Sequence, residues 1–399
     1  MNFEKTFIAQ EARRLGVPIP DISAQKHCME LHKLLVNKIA DNGGRLNFAQ
    51  YMEIVLYTPG LGYYSSGAAK FGVKGDFVTA PEISPLFSKC LANQVSQILC
   101  DMSGGDVLEV GAGSGIMAVD MLEHLSINGC PIGNYYILER SADLRARQYD
   151  LLAQRLPNLI GKVAWLDTLP DVGFRGVVVA NELLDALPVH CFRVEQSHCA
   201  ELYVSNVNGA LTWHVDLPSS PEVEEIFIKL MRSEKLSDGY TSEIGISASA
   251  WITSIADSLS EGVILIIDYG FPRHEYYHEQ RSAGTLLCHY RHRSHADPLV
   301  LVGLQDITAH VEFTSLAEAA VNAGLRVAGY TNQASFLLSN GITNFFEQAD
   351  TLERLKWAQQ VKKLTMPHEM GELFKVLALA RKFDKSLQGF EMNDMRARL

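Results

Sequence analysis

Three glycines, Gly111, Gly113 and Gly115, stand two residues apart directly after a short apolar run at 106–110. Without side chains the backbone can bend sharply there and approach a ligand, and the apolar stretch that follows reads as a helix offering its free N–H groups. The chemistry is the cradling of a nucleotide. A dinucleotide fingerprint is spaced G-x-G-x-x-G to face a pyrophosphate, whereas here the pattern is G-x-G-x-G and an acid, Glu109, lies two residues before the first glycine. Such an acid is unhelpful to a pyrophosphate and suits a ligand with a cationic amino-acid end. The next apolar run, 135–138, ends at a second acid, Glu139. At the tip of a second strand it is placed to accept hydrogen bonds from a ribose diol.

Together the glycine turn, Glu109 and Glu139 resemble the S-adenosylmethionine site of Rossmann-like methyltransferases. Two other readings use the same residues: an ordinary α/β unit with a tight turn, and an NAD(P)-dependent oxidoreductase, which shares the strand, the glycine turn and the ribose acid.

An alternation of helix and strand patterns positions these residues. Residues 24–41 and 48–57 have helical spacing, with Asn47 as a cap for the second stretch. A glycine- and tyrosine-rich segment, 57–84, is too irregular for helix or strand and too aromatic for disorder. Ser84 and Pro85 cap and open a helix to about Met102. After Glu139 come a helix to about Arg155, a strand at 162–166 and a fully apolar strand at 176–180, a rhythm that predicts a doubly wound parallel sheet. Residues 191–217 break it with alternating runs, the pattern of an inserted antiparallel hairpin. Helical spacing resumes over 221–232 and 248–259, a strand pattern over 262–270, and a helix at 316–323 with a strand at 325–330 closes the fold before an amphipathic C-terminal piece. The expected domains are a helical N-terminal region with a lid loop (1–95), a Rossmann-like core (96–335) with an insertion at about 190–260, and a helical and strand extension (336–399).

Composition sets the bounds. Of 399 residues, 47% are hydrophobic and 20% charged, ordinary for a folded globular chain. A net charge of −11 argues against nucleic-acid binding, which relies on clustered cations, and favours a cationic partner. The first residues carry acids and no apolar leader, and no run approaches the ~20 apolar residues of a membrane span. A cytoplasmic protein without membrane insertion is expected. The 7 cysteines are scattered and form no C-x-x-C pair, as in a reducing compartment.

Six stretches, GYY at 62–64, GDFVTAPEIS at 75–84, EVGAGSG at 109–115, NELLDALPV at 181–189, IDYG at 267–270 and GLQDITAHVEFT at 303–314, resemble the MidA family of bacterial and mitochondrial methyltransferase-like proteins. They cover most of the chain, in order; one departure is Ser88, where the family pattern leads one to expect glycine. The resemblance implies a class I S-adenosylmethionine-dependent methyltransferase fold, and for mitochondrial members protein arginine methylation in support of respiratory complex I assembly. It also implies Gly75, Asp76 and Thr79 as cofactor lid residues and Tyr63 over an acceptor channel. An assembly chaperone that merely retains the cofactor pocket is a further alternative, and a homodimer is compatible with each.

Arginine is a poor nucleophile because its charge is delocalised and permanent, so carboxylates must fix it by paired hydrogen bonds. The turn after the strand 176–180 supplies Asn181, Glu182 and Asp185 at the carboxyl end of the sheet, where such folds bind ligands. Asn181 is expected against the cofactor or acceptor, and Glu182 with Asp185 as the guanidinium clamp. The competing reading is a helix N-terminus, which favours acids by about 0.3–1 kcal/mol. Asp268 and His310 are candidates to complete the catalytic set, the histidine as a proton relay or as a purely structural group. Asp167 is placed to meet the adenine amine or to stand as a solvated loop acid.

Residues 274–278 read HEYYH, the literal zinc-protease pattern. They follow Pro272 directly after a strand and lack the apolar periodicity of a buried helix, so no metal is expected and a histidine-rich solvated loop is the reading.

Overall fold

The computed structural model describes residues 2–65, 78–348 and 350–399. The chain divides into two compact bodies, each assembled from three separate segments. One comprises Val78–Leu184, Ser249–Pro272 and Phe313–Leu399; the other comprises Met1–Phe77, Asp185–Ala248 and Arg273–Glu312.

The first body is built on a mixed sheet of strands β1 (Gly105–Val110), β2 (Ile132–Leu138), β3 (Val163–Leu166), β4 (Phe174–Asn181), β5 (Leu259–Phe271), β6 (Arg326–Asn332) and β7 (Phe374–Arg381). Their order across the sheet is β3-β2-β1-β4-β5-β7-β6. From β3 to β5 neighbours are parallel, with Val178 of β4 opposite Leu108 of β1 on one side and Ile264 of β5 on the other. The last two strands run antiparallel to their neighbours, Leu265 facing Ala378 and Tyr330 facing Leu377. Val177, Val178, Val179, Ala180 and the run Val263 to Ile266 are fully buried. A strand covered on both faces must be apolar at every position rather than at alternate ones, and each such Val, Leu or Ile contributes roughly 1.5–3 kcal/mol.

Three helices frame the sheet's carboxyl end: α1 (Pro85–Asp101), α2 (Ile116–Ile127) and α3 (Ala142–Arg155). Ser84 caps α1 by accepting from the Leu86 N–H, with Pro85 in the first turn, and Ser141 caps α3 by accepting from the Leu144 N–H. Both starts satisfy donors that a helix leaves open.

In the second body an antiparallel sheet runs in the order Arg45–Asn47, His198–Val207, His190–Glu195, Thr241–Ile244, with Ala210–Asp216 also paired to His198–Val207. Helices Ile22–Asp41 and Phe48–Tyr57 contribute Leu31, Leu35, Phe48 and Tyr51 to its core beside Val204 and Ile307. Asn47 and Gln50 form a reciprocal capping box at the second of these helices.

The domain division differs from the one expected. A boundary at residue 95 falls inside α1, and the stretch after 335 is no appendage, because β7 is inserted between β5 and β6. The insertion at about 190–260 does not stand alone either, since its strands pair with Arg45–Asn47 from the N-terminal region. An antiparallel sheet with one apolar face needs covering and an edge partner, and these come from residues distant in sequence. The HEYYH stretch forms only the short helix Arg273–Tyr276. His274 pairs through Nδ1 with Glu234 Oε2 at 3.0 Å, while Nδ1 of His278 accepts from the Gln280 N–H at 3.2 Å, so the two rings serve different partners.

Candidate active site

The turn after β1 carries Gly111, Gly113 and Gly115 at φ of 72°, 53° and 83°, left-handed backbone that side chains resist. Space is as tight as conformation: a Cβ on Gly111 would lie 3.0 Å from Leu183 Cδ1, and one on Gly115 would lie 3.1 Å from Gln148 Cγ. Gly115 caps α2 without a side chain, which keeps the helix's first N–H groups accessible from the turn.

Gln148, buried in α3, ties the neighbouring strand ends together. Its Nε2 donates to Gly113 O at 2.9 Å and to Glu139 Oε2 at 3.2 Å, and its Oε1 accepts from Trp165 Nε1 at 2.9 Å. No motif marks it. The signal was its register: Leu144, Gln148 and Leu152 share the buried stripe of α3, and a glutamine there must have polar partners. Glu139, at the tip of β2, also accepts from the Ser141 N–H at 2.9 Å; burial raises its pKa against those hydrogen bonds. With two acceptor sites on each oxygen, the carboxylate keeps acceptor capacity for a diol. Arg145 donates to Glu139 O at 2.6 Å and pairs with Asp167 at 2.9 Å, whose side chain is 88% exposed.

Glu109 stands elsewhere than a ligand-facing acid would. It is 1% exposed, its Oε2 accepts from the Tyr135 hydroxyl at 2.5 Å, and its Oε1 has no hydrogen-bond partner among the described residues. Burial pushes its carboxyl up to about 7, with nearby Glu139 adding to the rise and Tyr135 opposing it.

The turn after β4 is built differently. Glu182 adopts φ 50°, and its N–H donates to Ile267 O at 2.9 Å. Its Oε1 accepts from the Ala80 N–H at 3.2 Å and from Asn181 Nδ2 at 3.3 Å, while Asn181 Oδ1 is buried without a partner among the described residues. Asp268 is 0% exposed; its Oδ2 accepts from the Leu184 N–H and its Oδ1 from the Tyr269 N–H, each at 2.9 Å, so it fixes backbone on both sides of the turn. Thr79 precedes the short helix Ala80–Ile83, and Glu82 of that helix accepts from Ser114 Oγ within the glycine turn. Glu82 was missed because a lone acid in a loop-like stretch carries no periodic signal.

The second body holds Tyr63, Asp185 and His310. Tyr63 is buried, edge-on to Tyr64, and it is Tyr64 whose hydroxyl reaches Asp306 Oδ1 at 2.8 Å. Asp185 is buried and its carbonyl accepts from the Ala309 N–H at 2.9 Å; the His310 N–H donates to Thr285 Oγ1 at 3.0 Å. Gly75 and Asp76 lie outside the described residues.

A sheet ordered β3-β2-β1-β4-β5-β7-β6, a glycine turn after β1 and an acid closing β2 define a Rossmann-like nucleotide fold. The donor set fits an adenosyl group: backbone at which a Cβ would take up the room, an acceptor for a ribose, and an unpartnered amide oxygen at Asn181. Residues 89–331 match the family of S-adenosyl-L-methionine-dependent methyltransferases, and the chain belongs to it. It is 44% identical to a protein of Burkholderia thailandensis whose crystal structure contains S-adenosyl-homocysteine, covering 96% of this chain and 100% of that one with a TM-score of 0.92. It is 28% identical to the mitochondrial protein arginine methyltransferase NDUFAF7 homolog of Drosophila melanogaster over 88% of this chain and 84% of that one. With the Caenorhabditis elegans homolog the identity is 26%, over 92% and 90%. The protein is thus a methyltransferase whose cofactor is S-adenosylmethionine, and the nicotinamide alternative loses its support. Among the described residues no helix is long and apolar enough to cross a membrane.

Proposed function

We propose that the enzyme methylates an arginine side chain of a protein partner, with a respiratory complex I subunit as the candidate substrate and the cytoplasm as its place of action. Relatives that bear the name protein arginine methyltransferase align over most of their length, which supports this acceptor class.

The observation that carries the reading is Glu182. Left-handed backbone costs a non-glycine residue roughly 1–2 kcal/mol, and here the conformation is held by Ile267 and Ala80 at the carboxyl end of the sheet. Strain kept at such a place is typical of a side chain whose direction matters. The bound cofactor supplies an electrophilic methyl group on a sulfonium. Glu182 hydrogen-bonds the guanidinium and draws positive charge from the nitrogen that attacks, and Asn181 steadies the ligand through its amide. Asp268 is a positioning residue, acting through the Leu184 and Tyr269 amides. Glu139 binds the ribose, Gly111, Gly113 and Gly115 admit the backbone to the ligand, and Asp167 is carried as the adenine contact. Asp185 as a second guanidinium acid, His310 as proton relay, Tyr63 as acceptor-channel residue, and Gly75, Asp76 and Thr79 as lid residues complete the assignment from the sequence.

The test is to incubate the enzyme with a lysate and methyl-labelled cofactor, then map the modified residue by mass spectrometry. Label on arginine that disappears with Glu182→Gln is the expected result. Label on lysine or a small molecule would overturn the acceptor assignment and leave the methyltransferase assignment standing.

A further inference from the structure

We propose that Glu82 is the acid that receives the α-ammonium group of S-adenosylmethionine beside the glycine turn. The inference rests on the cofactor alone and is independent of the arginine acceptor.

The amino-acid end of this cofactor carries an ammonium that needs an acceptor within reach of the turn. Glu109, the acid inside EVGAGSG, is fully enclosed, with one oxygen bonded to the Tyr135 hydroxyl. Asp120, an acid of α2, is buried, and the charges of Arg155 and Lys89 act on it alongside that of Glu82. Glu82 differs from both. It is half-buried, and its Oε1 accepts from Ser114 Oγ, the side chain between Gly113 and Gly115, so the carboxylate lies against the turn itself. Among the described residues its Oε2 accepts no hydrogen bond. Its helix is anchored at the other end, where the Ala80 N–H donates to Glu182 Oε1 at 3.2 Å. A carboxylate tethered at both ends of a short segment binds a cation with little further ordering cost.

Calorimetric titration separates this role from a merely structural one. S-adenosylhomocysteine carries the ammonium, whereas 5′-methylthioadenosine keeps adenosine and sulfur but lacks the amino-acid end. Glu82→Gln should weaken S-adenosylhomocysteine by roughly tenfold or more, the scale of a charge-assisted hydrogen bond, and leave methylthioadenosine unchanged. Equal losses for both ligands, or no loss for either, overturn the proposal. Should the variant fold poorly, the native protein decides: S-adenosylhomocysteine acetylated on its amine should bind roughly tenfold more weakly than the parent, and equal affinity overturns the assignment.

Discussion

The turns after β1 and β4 lie side by side at the carboxyl end of one sheet, and both use left-handed backbone, yet they are made from opposite materials. After β1 the positive φ values fall on Gly111, Gly113 and Gly115; after β4 the value of 50° falls on Glu182. Where a ligand must approach the main chain, the side chain is removed and the conformation is nearly free. At Glu182 the side chain stays and the conformation is held by Ile267, Ala80 and the Asp268 carboxylate. The first turn leaves its backbone bare and the second keeps a constrained functional group.

The strongest way to break this comparison is Glu182→Gln, for which activity should fall about a hundredfold, the cost of one preorganised electrostatic contact, while S-adenosylhomocysteine affinity stays within about threefold. Glu182→Gly sharpens it, because activity should be lost as fully although the melting temperature holds or rises with the strain relieved. Next in size is Asp268→Asn, which puts an amide donor against one of the two backbone N–H groups that the carboxylate accepts from. Denaturant unfolding should show about 1–3 kcal/mol less stability. Gly115→Ala then tests the first turn: a Cβ 3.1 Å from Gln148 Cγ in left-handed backbone should reduce S-adenosylhomocysteine affinity by about tenfold. An alanine that binds normally would show the glycine to be dispensable.

Further effects concern the acids nearby. The Glu109 carboxyl stands at about 7 in the fold against an ordinary 4.5, so it stabilises fully below about 4.5 and that contribution is lost as pH rises through about 7. Glu109→Gln should therefore melt higher than the parent near pH ~8 and match it near pH ~4, a difference on the order of 3 kcal/mol. Identical pH profiles would mean that the carboxyl is hydrated. Asp167→Asn should be the mildest, under about 0.5 kcal/mol in unfolding because an exposed ion pair contributes little; any loss of cofactor affinity beyond that would support the adenine contact.

Much of the first body was legible as sequence. The continuous apolar runs became β1, β4 and β5, the Ser84–Pro85 pair opened α1, and the alternation after 190 became antiparallel strands. These are signals of period and local capping, which depend on the chain's own geometry. The glycine turn could be read from the sequence as a nucleotide cradle, and Glu139 and the acids following β4 as candidates for the site around it. The sequence said nothing of the burial of Glu109 or of Tyr135 beside it. It was silent at Gln148 and Glu82, whose partners lie 35 and 32 residues away.

Residue types and spacing alone determined that a nucleotide-cradling turn would follow a buried strand, since allowed φ and side-chain alternation are properties of neighbouring residues. Only the tertiary structure decided which acids sink into the core and which stay open, and that each body is stitched from three distant segments. The reason is that desolvation and hydrogen-bond partnership are set by everything packed around a group, most of it far along the chain.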